Sequence, residues 1–70
     1  MTGTVARIVE ISAVSDTSFE DAIQVGVARA RKTLRNVKSA WVKEQQVNVG
    51  DGGITSYQVN LLVTFILEDE

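Results

Sequence analysis

Tyr57-Gln58-Val59-Asn60-Leu61-Leu62-Val63-Thr64-Phe65-Ile66-Leu67 is the longest β-type run in the chain. Val, Ile, Phe, Tyr and Thr are frequent in it, and neither Gly nor Pro interrupts it. A strand sends alternate side chains to opposite faces. The odd positions Tyr57, Val59, Leu61, Val63, Phe65 and Leu67 are all apolar or aromatic. The even positions Gln58, Asn60, Leu62, Thr64 and Ile66 change from polar to apolar along the strand. One face therefore needs a core over its whole length, and the other needs cover over its C-terminal half.

What the remaining residues offer as cover follows from the segments upstream. Thr4 to Ser12 reads as a first strand, with Val5, Val9 and Ile11 on one side and Ala6 and Ile8 on the other. Ala13 to Ser18 reads as a polar connection rich in helix-start residues. Two N-caps compete there: Thr17 with Glu20 fits the capping-box spacing strictly, and Ser18 with Asp21 fits it loosely. Either choice leaves Glu20 and Asp21 in the first turn, where the helix dipole favours anions. Phe19, Ala22, Ile23, Gly26, Val27, Ala30, Leu34 and Val37 recur at helical spacing, which predicts a helix to about Asn36. The small Gly26 and Ala30 in mid-stripe imply a close approach to a sheet. Gln24, Arg31, Lys32 and Arg35 fall on the opposite face. The basic cluster Arg29, Arg31, Lys32 and Arg35 suits the C-terminal end of the dipole and reads as a solvated face or an anion contact.

Ser39 to Asn48 reads as a second strand. Strict alternation places Ala40 and Val42 on one face, and Ser39, Trp41, Lys43 and Gln45 on the other. Val49-Gly50-Asp51-Gly52-Gly53 supplies a turn, so the second and third strands form a hairpin. It is not a phosphate loop, because no helix follows and no Lys-Ser/Thr pair closes it. Glu68-Asp69-Glu70 is an acidic end expected to be solvated.

The element order is strand, helix, strand, strand. The helix crossover makes the first and second strands run the same way, so the third strand belongs between them, antiparallel to both. The expected fold is α+β: a βαββ chain whose three-stranded antiparallel sheet, ordered 1-3-2, packs around one helix. The helix covers the odd face of the third strand. The face bearing Trp41, Leu62, Thr64 and Ile66 has no cover within the chain, which points to self-association or a ligand.

Composition narrows the chemistry. Seventy residues make one domain, 1–70, close to the lower limit for unaided stability. With no Cys and no His, the chain has no disulfide, no thiolate or imidazole metal ligand, and no Ser-His pair. Oligomerisation is the most open of the usual supports for a small scaffold. Without His or Cys, acid/base work would fall to Asp, Glu, Lys or Tyr57, and no carboxylate pair stands out, so an enzyme is not expected. A net charge of -2 gives no footprint for nucleic acid. No apolar run approaches the roughly 20 residues of a membrane span, and the first residues lack a signal-peptide pattern. The expected location is cytoplasmic.

The ordered pieces resemble the dodecin family nearly end to end. They are Arg7-Ile8-Val9-Glu10-Ile11, the helix opening Ser18-Phe19-Glu20-Asp21-Ala22-Ile23, Ala28 to Arg35, Val42-Lys43-Glu44, Tyr57-Gln58-Val59 and Val63 to Glu68. No single motif is very specific; the order and spacing together are. The resemblance implies a hollow homododecamer that stores or buffers flavin (riboflavin or flavin mononucleotide, FMN) in pairs on the uncovered sheet face, without catalysis. In flavin-binding members a Trp at the start of the second strand stacks on the isoalloxazine ring, and a Gln early in the third strand bonds its polar edge. Gln58 matches the second. The stacking position falls on Ser39, and the chain's only Trp is Trp41. Many bacterial members carry an Arg seven residues after that Trp; the corresponding residue is Gln46. Ser39 and Trp41 leave the same strand face about 6.6 Å apart. Trp41 therefore reads either as a displaced stacking residue or as interface packing, and Gln58 as a ligand contact or an interface amide. The expected flavin site comprises Trp41, Gln58, Ser39 and Gln46. The alternative is a dodecin-like shell that holds another ligand or calcium, for which Glu44, Asp51, Glu68 and Asp69 offer oxygens. Calcium needs six to eight converging oxygens, so four scattered carboxylates are a weak signal.

Overall fold

The computed structural model describes residues 3–67. Four elements follow in order: strand β1 (Ala6–Ser15), helix α1 (Phe19–Thr33), strand β2 (Val37–Gly50) and strand β3 (Gly53–Ile66). The strands form one sheet in the order β1-β3-β2, with β3 antiparallel to both neighbours. The expected βαββ topology is what forms.

The covered face is built from the predicted alternation. Val59, Leu61 and Val63 are fully buried at 0 % exposure. Val9, Ile11 and Ala13 of β1 lie on the same face, since Val9 pairs with Val63, Ile11 with Leu61 and Ala13 with Val59. From α1, Ala22, Gly26 and Ala30 are buried, with Phe19, Ile23 and Val27 packed around them. A Cβ on Gly26 would lie 2.9 Å from Leu61 Cδ1 and 3.1 Å from Ala13 Cβ. The helix backbone thus sits directly on the sheet, as its small residues implied.

The strands of the hairpin are longer than the sequence reading has them, β2 running on to Gly50 and β3 starting at Gly53, through residues read as turn; three further boundaries differ, each for a local reason. First, β1 begins at Ala6 and runs on to Ser15, through what reads as a polar connection. Ala13 and Ser15 are buried and pair with Val59 and Tyr57, so sheet pairing overrides their composition. Second, the N-cap is Ser18, whose hydroxyl accepts from the Asp21 N–H at 3.0 Å. The Asp21 carboxylate does not close a capping box. It accepts from the Ser15 hydroxyl at 2.6 Å, and Ser15 Oγ in turn accepts the Thr17 N–H at 2.9 Å. Third, α1 stops at Thr33. Leu34 is already extended (φ -114°, ψ 143°), and Asn36 reverses the chain at φ 62°, a left-handed conformation that Asn tolerates better than most residues. Val37 therefore belongs to β2, pairing with Phe65, and not to the helical stripe.

The hairpin turns through Asp51-Gly52, with Gly50 opposite Gly53. Gly53 takes φ 122°, which an L side chain rarely adopts. The two long strands project beyond the helix: 14 residues of strand span about 46 Å, whereas 15 residues of helix span about 22 Å. Val49 and Ile54 near the tip are 71 % and 55 % exposed. The radius of gyration is 14.7 Å, where a compact chain of this length would have about 11 Å.

Candidate functional site

The second face of the sheet carries every candidate ligand contact. Residues directly opposite on antiparallel strands share a face, so the register places them in rows. Nearest the hairpin, Gln58 lies between Val14 of β1 and Gln46 of β2. In the next row Asn60 lies between Ser12 and Glu44. Leu62 follows between Glu10 and Trp41, then Thr64 between Ile8 and Ser39. Successive rows are about 6.7 Å apart. Ser39, Trp41, Gln46 and Gln58 therefore share one face. Gln46 and Gln58 are direct neighbours, while Trp41 stands two rows from them and Ser39 three.

Gln46 reaches this face because of a bulge. The register of β2 shifts between Val37 and Ser39 and again between Val42 and Glu44, leaving Lys38 and Lys43 as extra residues. An extra residue reverses the alternation beyond it. Strict alternation from Trp41 assigns Gln45 to the open face and Gln46 to the helix side. The bulge at Lys43 exchanges them: Gln45 pairs with the buried Val59, and Glu44 and Gln46 turn outward with Asn60 and Gln58.

A polar network crosses the three strands between Trp41 and the glutamine pair. The Ser12 hydroxyl donates to Asn60 Oδ1 at 2.6 Å, and Asn60 Nδ2 donates to Glu44 Oε1 at 2.8 Å. Lys43, in the bulge, reaches across β3 to both carboxylate oxygens of Glu10 at 3.3 and 3.4 Å. These bonds fix the floor of the face in register. Sequence reading placed Lys43 and Asn60 on this face by alternation without giving either a role there, and it missed Ser12 and Glu10. The polar Gln58-Asn60 alternation was the available signal for Asn60.

Beside this network lies an apolar zone. Trp41 is 72 % exposed, over a half-buried Leu62, with Ile8 of β1 61 % exposed in the next row; Val14 of β1, 53 % exposed, lies beyond the network in the Gln58 row. Among the described residues, no element packs on this side, since α1 lies on the other. An indole presented in this way offers a flat ring face to a partner ring. The face thus combines a stacking surface, a pair of side-chain amides and a rigid polar floor. That set suits a planar heteroaromatic molecule with a polar edge.

Of the acidic residues considered for calcium, the two that are described, Glu44 and Asp51, do not converge. Glu44 sits mid-strand in its bond to Asn60, and Asp51 sits in the hairpin turn. Seven residues of strand separate them by about 23 Å. Glu68 and Asp69 lie outside the described residues. Among the described residues, no group of three or more Asp, Glu, His or Cys is placed to hold a metal ion. Among the described residues, no helix is long and apolar enough to cross a membrane.

Comparison with known proteins agrees with the topology. The dodecin family profile matches residues 5–68. Dodecin from Thermus thermophilus is 45 % identical over 67 residues, covering 96 % of this chain and 97 % of that one. Calcium dodecin from Mycobacterium tuberculosis is 34 % identical over 61 residues, covering 87 % and 86 %. A crystal structure of a Thermus thermophilus protein superposes with a TM-score of 0.91 at 44 % identity, over 97 % of this chain and all of that one.

Proposed function

The chain belongs to the dodecin family, and from that premise we propose that it is a non-catalytic, homo-oligomeric flavin-binding protein that stores or buffers flavin in the cytoplasm. The observation that carries this reading is the uncovered face, on which Trp41 stands 72 % exposed beside Leu62 and Gln58 faces Gln46. Isoalloxazine is planar and apolar over much of its area, with a hydrogen-bonding edge. Trp41 supplies the stack, and Gln58 the bonds to that edge. Ser39, at the family's stacking position, leaves room where the indole would otherwise sit. Gln46 extends the amide surface.

The shape of the protomer supports association. Its accessible surface is 5292 Å², against about 4,300 Å² for a closed monomer of this mass. Burial of the open face and the projecting hairpin between copies would remove that excess. A dodecamer is the assembly that the family suggests.

A second reading has its own observation: the stacking position is Ser39, and one relative is named calcium dodecin. On that reading the shell binds no flavin and holds another ligand or calcium. The separation of Glu44 from Asp51 means that these two carboxylates of one protomer do not share a calcium ion.

Titration of riboflavin and of FMN with ligand-stripped protein, read by quenching of flavin fluorescence, decides between them. Saturable quenching that weakens in Trp41→Ala, with the assembly mass unchanged by light scattering, supports the flavin reading. Absence of quenching at micromolar protein overturns it and moves the test to calcium. Loss of the assembly in Trp41→Ala assigns the indole to interface packing.

A further inference from the structure

The charges that line the open face carry a preference among flavins. We infer that the site selects an uncharged flavin over a phosphorylated one, with Glu44 and Gln46 as the determining residues; this rests on the flavin reading above. A ligand that reaches from Trp41 to Gln58 must pass the row between them, and that row holds Glu44. Glu44 is about 6.7 Å along the strand from Gln46 and therefore from the amide pair. Among the described residues, the basic side chain placed over this stretch is Lys43, and both of its contacts are to the Glu10 carboxylate, at 3.3 and 3.4 Å. That pair is mutually neutralised. Glu44 accepts a bond from the neutral Asn60 amide, which leaves its charge uncompensated by that partner. Where many bacterial relatives place an Arg, Gln46 brings no positive charge.

The net field between the stacking residue and the amides is thus negative. A phosphate monoester carries about -1.5 to -2 charges at neutral pH. For a phosphate held one row of the face, about 7 Å, from Glu44, one pair of like charges changes binding roughly threefold at the dielectric of water, and by tens of fold at the effective value near a protein surface. A preference for riboflavin over FMN of about tenfold lies between these limits. Salt shortens the reach of the repulsion, so the preference shrinks as ionic strength rises.

The test is the ratio of Kd for FMN to Kd for riboflavin, measured on the assembled protein at low and high salt, for wild type, Glu44→Gln and Gln46→Arg. Glu44→Gln keeps an oxygen for Asn60 and removes the charge. The expected ratio is about 10 in wild type at low salt, falls several-fold in Glu44→Gln and at high salt, and falls to one or below in Gln46→Arg. Equal or tighter binding of FMN by wild type overturns the inference while leaving the flavin reading intact. So does a ratio that neither substitution nor salt moves. Failure of wild type to bind either flavin overturns both.

Discussion

The two faces of β3 are made by alternate residues of one strand, yet they are completed by different means. Val59, Leu61 and Val63 are sealed at 0 % exposure by a helix from the same chain. Gln58, Asn60, Leu62, Thr64 and Ile66 remain half-buried, with Trp41 at 72 % and, among the described residues, nothing above them. The covered face is a stability device, tolerant of no change in volume. The open face is held in register by side-chain bonds across strands, and its apolar residues stay partly or largely exposed within the protomer. A chain this small has apolar surface on both sides of its sheet and one helix to cover them, so half of its hydrophobic pattern is addressed to something else.

Substitutions should separate the two faces. The largest stability effect is expected from Leu61→Ala, which opens a cavity under α1 and should cost about 2–5 kcal/mol. Thermal or denaturant unfolding at fixed chain concentration measures it, because any oligomer makes apparent stability concentration-dependent. Next, Gly26→Val puts carbon where Leu61 Cδ1 and Ala13 Cβ stand 2.9 and 3.1 Å away. It should lose roughly 2–3 kcal/mol by overpacking. If it were neutral, the close approach of helix and sheet would not be the constraint on the covered face. Ser18→Ala removes the cap and should cost about 1 kcal/mol. The loss should appear as increased amide exchange in the first turn of α1, leaving the open face untouched. The smallest effect is expected from Trp41→Ala, whose side chain is mostly in solvent within the protomer. Stability of the folded chain should move by no more than about 0.5 kcal/mol, while flavin affinity falls. A large loss of stability would mean that the open face is already structural before any ligand arrives.

The open face also shows which parts of the site could be read in advance. Gln58 and Trp41 were legible because their faces follow from simple alternation near the pairing centre. Gln46 was not. Alternation alone sends it to the helix side, and its place opposite Gln58 depends on the extra residue at Lys43. Nothing in Val42-Lys43-Glu44 marks a bulge, since it contains neither Gly nor Pro. The extension of β1 to Ser15 was hidden in the same way, because Ser and Ala carry no strand signal until Tyr57 and Val59 pair with them.

The sequence by itself determined the order of the elements, the antiparallel 1-3-2 sheet, the helix that covers one face and the existence of a second face left open. Those follow from periodicities of 2.0 and 3.6 residues and from the rule that a crossover restores strand direction. Tertiary structure alone decided the bulges, the choice of Ser18 over Thr17 as cap, and the row in which each polar side chain stands. The bulges and the rows depend on pairing partners some tens of positions away, and the cap depends on Ser15, which pairs with Tyr57 while its hydroxyl bonds the Asp21 carboxylate and the Thr17 N–H. A register shift of one residue reverses the facing of everything beyond it without changing a single letter of the local sequence.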